Sequence, residues 1–517
     1  MPTLDDFLAR GFFARELPPP FSTATFAAAI AAHGPPPSAA PKTAKLCIHN
    51  LARAGSLRRK LAIPNPVQYY RLADAIIANW PAITTHINAS AISVSKPTNP
   101  NSNRAVVPVT MFDDMEARRH AVRALAPYVV RTDISQFYGS LYTHSLPWAL
   151  HTKPIAKATR GRRLFGNVLD ECTRNMQDGQ TIGVPIGPDT SLVLAEIILS
   201  AFDQEVARRA PGVQACRQID DIEMGAADRS AAESLLGVLQ QSLNTYELSL
   251  NPRKTRIIEQ PSPFTDAWVH SLRRFRFRKH SRSQKFDLLA FYDLVFRTAN
   301  EYADGAVIKY SMSRLRPIRI HKSNWNTHER FLHQAMLAEP GVAPEALSQL
   351  LRFHKLGMTI DTVSLATVIE RQITHHAPQG HGNDVAWAVW AALAFGLPLS
   401  TSATSAAISM DDSVVALLVL DAEAQQLLPY PIAATVWEDF MTLPELYGEQ
   451  WLLSYEGRLK GWRPTKGGGD HIASDSNWAW MRTHNVSFYT PVVRPVAPPV
   501  TAVAELMARD GLGFSPA

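Results

Sequence analysis

The chain has 517 residues, of which 46% are hydrophobic and 19% are charged, and this composition excludes a chain that is disordered as a whole. The length indicates about two to four domains. The formal net charge of +6 permits a polyanionic partner without requiring one. Because Cys47, Cys172 and Cys216 lack CxxC spacing, we expect free buried thiols rather than disulfides or a thiolate zinc site.

The sequence predicts no membrane segment. Asp5 and Asp6 stand where a signal peptide would carry basic residues, and the alanine-rich run 26–32 is too short to cross a bilayer. We therefore expect a cytoplasmic protein with no membrane partner.

The first part of the chain is predicted to be helical between proline-rich breaks. Residues 1–42 contain apolar patches between two proline clusters, which favours an N-terminal extension of short helices. Residues 43–75 are basic and are predicted to be helical. Residues 94–107 are rich in Pro, Asn and Ser, and they are predicted to form a loop.

The middle of the chain predicts strands and helices in alternation. Residues 128–134 form a β-rich run, and apolar residues at helical spacing predict a helix over 190–209. Residues 213–225 predict two short strands around a tight turn, and residues 229–246 predict a further helix.

The character of the sequence changes near residue 330, where strand signals become scarce. Successive apolar-rich segments predict helices over 330–355, 358–374, 383–396, 403–428 and 432–455. This pattern predicts an all-α domain of the helical-repeat or solenoid type, although no fixed sequence period is visible.

Three aspartates carry the functional hypothesis. Asp133 ends an apolar run, where it either lies at the rim of a sheet or caps the next helix. Asp220 and Asp221 are adjacent, and like charges repel unless a cation neutralises them, although an isolated pair is more simply a solvated hairpin tip. Together, the three acids can hold two divalent ions for phosphoryl transfer, and hard oxygen ligands favour Mg²⁺ or Mn²⁺.

Two further segments could contribute to such a site. Gly183 and Gly187 permit close backbone approach to a ligand, and Pro185 stiffens the loop between them, but a plain strand-to-helix connection explains the same residues. Lys254 could protonate or neutralise a departing pyrophosphate, or it could be a solvated turn lysine.

The order of these segments resembles the palm of reverse transcriptases. Residues 131–138, 183–187, 218–221 and 250–254 are similar to motifs A, B, C and D of that family. Residues 142–148 and 188–190 are similar to the bacterial abortive-infection and defence-associated reverse transcriptases. The resemblance covers roughly residues 43–330. It implies an α+β right-hand polymerase with fingers, palm and thumb, followed by an all-α helical-repeat domain.

The resemblance also implies a division of the chain into five regions. They are an N-terminal extension (1–42), a fingers region (43–127), a palm (128–262), a basic thumb-like region (263–330) and a C-terminal helical domain (331–517).

The motif residues acquire roles from the same resemblance. Asp133 and Asp220 would ligate both Mg²⁺ ions with help from Asp221, and Ile134 would offer its backbone carbonyl. Tyr138 would be the steric gate that excludes a 2′-hydroxyl and so favours dNTPs.

Other residues would contact nucleotide or nucleic acid, and Lys254 would act near the leaving group. The nucleotide-binding candidates are Tyr138, Pro185, Gly187, Arg58, Arg59, Lys60 and Arg104. The candidates for backbone phosphates in the thumb are Arg273, Arg274, Arg276, Arg278 and Lys279. Phe275 and Phe277 alternate with these arginines, which on a strand would give one aromatic face and one basic face.

Two positions depart from the family pattern. Gln218 stands where motif C commonly has Tyr, and Ile186 stands where motif B commonly has Gln. Both positions lie near primer or template in the family. Similar members of the defence branch synthesise DNA without an ordinary template and from a protein hydroxyl. The primer hydroxyl here is unknown, and Tyr69 and Tyr70 are candidates that a core position explains better.

The implied function is that of an RNA-directed or template-independent DNA polymerase in anti-phage defence by abortive infection. Its implied partners are dNTPs, a DNA product, a non-coding RNA template and further copies of the chain in a trimer or hexamer. One alternative is an RNA-synthesising palm polymerase, against which Tyr138 argues. Another is a non-catalytic helical-repeat scaffold or RNA-binding defence protein with a degenerate polymerase domain.

Two other patterns are given structural interpretations. His375, His376 and His381 stand among Pro and Gly, so they predict a polar loop rather than a metal cluster. Trp387 and Trp390, three residues apart, predict packing along one helix.

Overall fold

The computed structural model describes residues 1–37, 43–52, 58–99, 103–109, 112–303 and 305–496. It divides into two compact units. Unit 1 comprises Met1–Ala14, Thr23–Leu46 and Ala62–Pro263, and unit 2 comprises Arg15–Ser22, Cys47–Leu61 and Phe264–Ala517. Parts of the predicted N-terminal extension, of the helix at 43–75, of the loop at 94–107 and of the C-terminal domain lie outside the described residues.

Eight strands are present in the described ranges: β1 (Cys47–Ala52), β2 (Arg58–Ile63), β3 (Pro97–Thr98), β4 (Val107–Pro108), β5 (Tyr128–Asp133), β6 (Ala215–Gln218), β7 (Asp221–Ala226) and β8 (Arg256–Glu259). The main sheet lies in unit 1 and has the strand order β6-β7-β5-β8. All its neighbouring strands are antiparallel.

The helices of unit 1 are α1 (Leu4–Ala9), α2 (Ala24–His33), α3 (Pro66–Ala78), α4 (Trp80–Asn88), α5 (Phe112–Ala124), α6 (Phe137–Ser140), α7 (Ser145–His151), α8 (Lys153–Ala158), α9 (Phe165–Asn175), α10 (Thr190–Arg209) and α11 (Arg229–Asn244). The helices of unit 2 are α12 (Ala267–Arg274), α13 (Ser281–Glu301), α14 (Val307–Leu315), α15 (Trp325–Ala338), α16 (Ala343–Lys355), α17 (Thr362–His376), α18 (Gly382–Phe395), α19 (Thr401–Ile408), α20 (Ser413–Ala424), α21 (Trp451–Leu459) and α22 (Ser476–Thr483).

The sheet of unit 1 is held by apolar residues from its central strands. Val129 and Val130 of β5 and Ile222 and Met224 of β7 are buried. Helix α5 packs on β6 and β7, and α11 packs on β5 and β7. The contact with α5 is so close that a Cβ atom at Gly225 would lie 2.7 Å from the carbonyl oxygen of Val122, so a glycine is required there.

Helix α10 is buried over most of its length, as its apolar sequence predicts. It begins and ends where the sequence predicts, over 190–209. Two carboxylates, Glu196 and Asp203, are buried within it, and buried charges require partners. Both carboxylates pair with Arg217 of β6.

The prediction of a helix over 43–75 is wrong in its first half. Residues 47–52 and 58–63 are the strands β1 and β2, which form a two-stranded sheet. The helix begins only at Pro66, because Asn65 caps it through a 3.1 Å hydrogen bond from the Val67 amide and proline suits the first helical position. The predicted hairpin at 213–225 and the helix near 229–246 are both confirmed.

The regular secondary structure in the described part of unit 2 is helical, apart from its share of β1 and β2, and irregular segments separate several of the helices. The predicted helix over 403–428 is interrupted, because Asp412 caps α20 with hydrogen bonds from Val414 and Val415. The predicted helix over 432–455 is wrong for most of its length: only two 3₁₀ turns, Glu438–Phe440 and Pro444–Tyr447, precede α21. The helical-repeat arrangement and the five-region division remain predictions.

Several smaller predictions concern burial and packing. Cys47, Cys172 and Cys216 are free and buried, as predicted. Trp387 and Trp390 are fully buried with ring centroids 5.3 Å apart, which confirms their role in helix packing. None of the described helices is both long enough and apolar enough to cross a membrane.

Candidate active site

The sheet register brings the predicted carboxylates together at one end of two strands. Asp133 ends β5 and Asp221 begins β7, and these two residues are directly paired in the antiparallel ladder. Side chains of directly opposed residues project from the same face of a sheet. Asp220 lies in the preceding turn, where its carbonyl oxygen accepts a 3.2 Å hydrogen bond from the Ile134 amide. The two segments are therefore joined at the point where all three acids lie.

The turn that carries Asp220 has an uncommon backbone conformation. Ile219 has a φ of 51°, in the left-handed region that a β-branched residue rarely adopts. Its amide donates a 2.8 Å hydrogen bond to the Ser95 hydroxyl, and its carbonyl accepts a 3.0 Å bond from Arg217. Strained conformations of this kind persist only where their surroundings hold them.

Arg217, which bonds to the Ile219 carbonyl of this turn, is completely buried. Its guanidinium pairs with Glu196 at 2.8 Å and with Asp203 at 2.6 Å, both on α10. The Glu196 carboxylate also accepts 2.8 Å hydrogen bonds from the hydroxyls of Ser93 and Ser95. This network, the Arg217 cluster, therefore connects the central helix to the Asp220 turn.

Sequence reasoning missed the Arg217 cluster. The only available signal was the presence of acids in an apolar helix, at positions 196 and 203, together with an arginine at position 217 in a predicted strand. That pattern indicates a buried ion pair, but it does not show which residues meet.

The electrostatics of the site disfavour negative charge in the absence of a cation. Burial, followed by repulsion from Asp133 and Asp221, raises the pKa of Asp220 from 3.8 to about 6. Burial, followed by repulsion from Asp133, also raises the pKa of Asp221. The three carboxylates therefore form a cluster of negative charge that the neighbouring cationic side chains do not fully compensate.

Lys254 and Asn251 contact Asp133 directly. The Lys254 ammonium lies 2.8 Å from Asp133 Oδ2, and the Asn251 amide nitrogen lies 3.2 Å from Oδ1. The backbone amide of Asn251 also donates a 2.7 Å bond to the Asp133 carbonyl. The predicted motif D segment is thus attached to the end of β5. Asn251 was not among the predicted site residues.

The donor set fits hard divalent cations such as Mg²⁺ or Mn²⁺, because all its side-chain ligands are carboxylate oxygens whose repulsion a cation would relieve. Asp133, Asp220 and Asp221 are the residues that would hold them. Asp133 is engaged by Lys254, so cation binding and this ion pair compete for the same carboxylate.

The glycine-rich segment predicted as motif B lies against the segment that carries Tyr138. The Val184 amide donates a 2.8 Å hydrogen bond to the Tyr138 carbonyl, and the Gly183 amide donates one of the same length to Leu141. Gly183 has a φ of 93°, and a Cβ there would lie 3.4 Å from the Gly139 carbonyl oxygen, so glycine is favoured. Tyr138 is half-buried in α6.

The other two nucleotide-binding candidates in this segment are Pro185 and Gly187. Pro185 is buried, and its carbonyl accepts a hydrogen bond from the Ser191 hydroxyl at 2.5 Å. Gly187 is half-buried with a φ of 135°, and its carbonyl accepts a 3.2 Å bond from Arg104.

The placement of Arg104 corrects its predicted role as a phosphate contact. Arg104 is buried, and its guanidinium pairs with Asp189 and donates a 2.7 Å hydrogen bond to the Phe13 carbonyl. Asp189 in turn accepts a 2.9 Å bond from the Ala105 amide. Arg104 therefore fixes the loop before α10, and burial keeps it from serving as a surface phosphate ligand.

The basic cluster at the start of β2 is only partly exposed. Arg58 belongs to unit 2, where its guanidinium bonds to Asn50 and pairs with Asp384, so it has a structural role that the sequence did not indicate. Arg59 is half-buried and Lys60 is exposed. Nucleotide binding by these two residues stays a prediction.

The basic stretch after residue 273 is not a strand, which corrects the predicted alternation of faces. Arg273 and Arg274 end α12, and a short irregular segment leads to α13. The rings of Phe275 and Phe277 both pack on Phe291, each with a centroid separation of 5.1 Å. The aromatic residues therefore anchor the segment.

The cations of this segment lie mainly at the surface. Arg278 is paired with Asp287 at 2.6 Å, so part of its charge is already neutralised. All five basic residues of the segment are exposed. The Arg276 guanidinium also donates a 3.1 Å hydrogen bond to the Arg273 carbonyl. Phosphate binding by these five residues stays a prediction.

Tyr69 and Tyr70 differ in accessibility. Tyr69 is completely buried, stacks on Phe12 with ring centroids 4.1 Å apart, and donates a 3.1 Å hydrogen bond to the Phe7 carbonyl. This placement confirms the interpretation of Tyr69 as a core residue. Tyr70 is half-buried.

The fold and site thus define a carboxylate centre on an antiparallel sheet, suited to divalent-cation chemistry. Residues 54–291, less than half of the chain, match the protein family described as "Reverse transcriptase (RNA-dependent DNA polymerase)". The chain therefore contains a reverse transcriptase domain, which is a domain of the nucleotidyltransferase class.

No curated protein matches the chain. Two similar solved structures are telomerases in complex with a fragment of telomeric RNA. The one from Candida albicans is 12% identical, with 66% of each chain covered, and the one from Candida tropicalis is 14% identical, with 67% of this chain and 64% of the telomerase covered. The matches span just under two-thirds of those telomerases, and both TM-scores of 0.28 are too low to support an argument.

Proposed function

We propose that this protein is a DNA polymerase that transfers nucleotidyl groups from dNTPs to a hydroxyl and releases pyrophosphate. The observation that carries the proposal is the register pairing of Asp133 with Asp221, with Asp220 in the adjoining turn. This arrangement offers several carboxylate oxygens at one place, as two-metal phosphoryl transfer requires. The reverse transcriptase domain supports the same activity.

Asp133 and Asp220 are proposed to hold two Mg²⁺ ions, with Asp221 assisting and the Ile134 carbonyl as a further ligand. Bound Mg²⁺ would stabilise charge on the attacking and leaving oxygens. Lys254 would leave Asp133 when the cations bind, because they compensate the same charge. Its ammonium would then be available to neutralise or protonate the departing pyrophosphate.

Tyr138 is proposed to select the sugar of the incoming nucleotide. Its backbone is fixed by the Val184 hydrogen bond, so the position of its Cα relative to the glycine-rich segment is constrained. A phenol ring placed beneath the sugar would exclude a 2′-hydroxyl by steric overlap. This role favours dNTPs and argues against RNA synthesis.

The primer and template assignments rest on the resemblance. We propose protein-primed synthesis that is either RNA-directed or template-independent, in an abortive-infection defence system with homotrimeric or homohexameric assembly. The substitutions Gln218 and Ile186, at positions near primer and template in the family, support unconventional template use. Because its hydroxyl is bonded within the core, Tyr69 is withdrawn as a primer candidate.

The test incubates the purified chain with Mg²⁺ and each labelled dNTP or NTP, with and without added template RNA and primer. Products are resolved on a denaturing gel before and after protease treatment. Incorporation of dNTPs that is lost in Asp220→Asn and retained in Glu233→Gln is expected. Glu233 is an exposed acid on α11, so its variant removes one negative charge away from the site.

The arms of this experiment separate the parts of the proposal. A product whose mobility changes with protease supports protein priming, and product formed without added RNA supports untemplated synthesis. Incorporation that persists in Asp220→Asn would refute the assigned centre. A separate phage-infection assay addresses the scaffold alternative, because protection that survives in Asp220→Asn would show that the chain acts as a scaffold rather than through synthesis.

A further inference from the structure

The connection between α17 and α18 in unit 2 brings together two imidazoles and a carboxylate. His376 is the last residue of α17, His381 directly precedes α18, and Asp384 lies in the first turn of α18. One potential ligand atom from each residue lies within 4.8 Å of the other two. Among the described residues, no other set of three His, Cys, Asp or Glu side chains meets this condition.

The backbone of the connection holds the two histidines close. The His381 amide donates a 3.1 Å hydrogen bond to the His376 carbonyl, and the Gly380 amide donates a 3.0 Å bond to Ala377. Gly380 adopts a left-handed φ of 67°, which allows the chain to reverse in so few residues. As a result, the Nδ1 atoms of His376 and His381 lie 3.0 Å apart.

The carboxylate of the cluster has an unused oxygen. Asp384 is 2% exposed, and its Oδ2 is paired with Arg58. Its Oδ1 is buried and has no hydrogen-bond partner among the described residues. A buried carboxylate oxygen without a donor is unfavourable, so this atom requires a cation or a donor that the described part of the chain does not supply.

The chemistry of the three donors selects the kind of cation. Zinc binds imidazole nitrogen at about 2.0–2.1 Å and carboxylate oxygen at about 2.0–2.2 Å, and mixed His and Asp sets suit it better than they suit Mg²⁺. Arg58 would orient the carboxylate from outside, as hydrogen-bonding partners of metal ligands commonly do. The arginine also neutralises Asp384, so the site would rely on the two imidazoles for much of its affinity.

We propose that His376, His381 and Asp384 bind one transition-metal ion, with zinc as the best match, and that the ion fastens the end of α17 to the start of α18. Three protein ligands leave a fourth tetrahedral position for water or a further ligand. This proposal departs from the sequence-based interpretation of these histidines, which favoured a polar loop over a metal cluster. It does not depend on the proposed polymerase activity.

The neighbouring His375 provides a matched control. It is exposed, and its ring meets that of His376 edge-on with centroids 4.8 Å apart, but it is not part of the ligand cluster. A His375→Gln variant therefore changes the same residue type at the adjacent position. It is expected to keep the metal.

The test uses the full chain, stripped with a chelator and then titrated with Zn²⁺ in excess Mg²⁺, which would compete with Zn²⁺ for the carboxylate centre of unit 1. Zinc content after desalting is measured by mass spectrometry, and Co²⁺ is titrated in parallel because a tetrahedral site gives an intense visible absorption. Wild type and His375→Gln are expected to retain one equivalent of zinc. His376→Gln and His381→Gln are expected to bind it at least about 10-fold more weakly and to lose the Co²⁺ band.

Folding must be separated from binding in these variants. Asp384→Asn keeps the shape of the side chain, and far-ultraviolet circular dichroism reports whether each variant retains its helices. Folded His376→Gln and His381→Gln proteins that keep zinc as tightly as wild type would overturn the proposal. Absence of stoichiometric zinc or cobalt binding by the wild-type chain would overturn it as well.

Discussion

Replacing Asp220 with asparagine is expected to stabilise the metal-free protein while abolishing polymerisation. The pKa of Asp220 is raised from 3.8 to about 6 by burial and by the neighbouring carboxylates, so folding disfavours its charged form. The two values differ by about 2.2, which corresponds to roughly 3 kcal/mol. Asparagine has nearly the same shape and no charge, so the variant removes this penalty.

The sign of the pH dependence follows from proton binding. Between pH 3.8 and about 6 the folded state binds more protons at Asp220 than the unfolded state does, so stability falls as pH rises through this window. The full penalty of roughly 3 kcal/mol is present at pH 8, and about half of it is present at pH 5. The stabilisation in Asp220→Asn should therefore be larger at pH 8 than at pH 5.

Thermal unfolding of wild type, Asp220→Asn and Glu233→Gln at both pH values, in chelator, tests this reasoning. Because solvent screening reduces the penalty, we expect Asp220→Asn to raise Tm by roughly 5 °C at pH 8 and by less at pH 5. Glu233→Gln should change Tm little, since this acid is exposed. Added Mg²⁺ should stabilise wild type more than Asp220→Asn. A Tm for Asp220→Asn at or below that of wild type at pH 8 would refute the electrostatic argument.

Three further substitutions test other contacts of unit 1. Lys254→Met removes the ammonium that lies 2.8 Å from Asp133. The Mg²⁺ concentration for half-maximal dNTP incorporation should therefore fall several-fold, while kcat falls about 10- to 100-fold. A raised Mg²⁺ requirement would contradict the competition between Lys254 and Mg²⁺ for Asp133. Arg217→Met leaves Glu196 and Asp203 buried without their cation. Urea titrations should show a free energy of unfolding that is lower by about 3–5 kcal/mol. The control Arg208→Met removes an arginine from an exposed ion pair and should change this free energy little. Tyr138→Ala should reduce the preference for dNTPs over NTPs at least about 10-fold in kcat/KM, and unchanged selectivity would remove the gate assignment.

Local sequence patterns were sufficient for the elements that carry the candidate centre. The apolar run ending in Asp133 and the helix over 190–209 are recognisable from local apolar patterns and their boundaries. The adjacent acids 220 and 221 are recognisable as an unusual pair between apolar residues. The hairpin at 213–225 followed from the same reasoning. The order of these elements along the chain, through its resemblance to the palm of reverse transcriptases, was enough to suggest a metal-dependent nucleotidyl-transfer centre.

Only tertiary structure decided which polar groups meet. In the sequence Arg104 looks like a free cation, but pairing with Asp189, 85 residues later, buries it. Arg217 forms ion pairs with Glu196 and Asp203, and Arg58 forms one with Asp384, which is 326 residues away along the chain. The energy of such pairs depends on burial and distance, neither of which a local pattern contains.

The same limit explains the two clearest errors of the sequence reading. Residues 47–52 and 58–63 form strands because they pair with each other, and basic residues in a short window do not reveal such pairing. His375, His376 and His381 looked like a polar loop because Pro and Gly surround them, yet His375 and His376 end α17, and the chain reversal at Gly380 brings His381 back to His376. Sequence determined the chemistry available to this protein, and the backbone path determined where that chemistry converges, because a site requires proximity in three dimensions rather than along the chain.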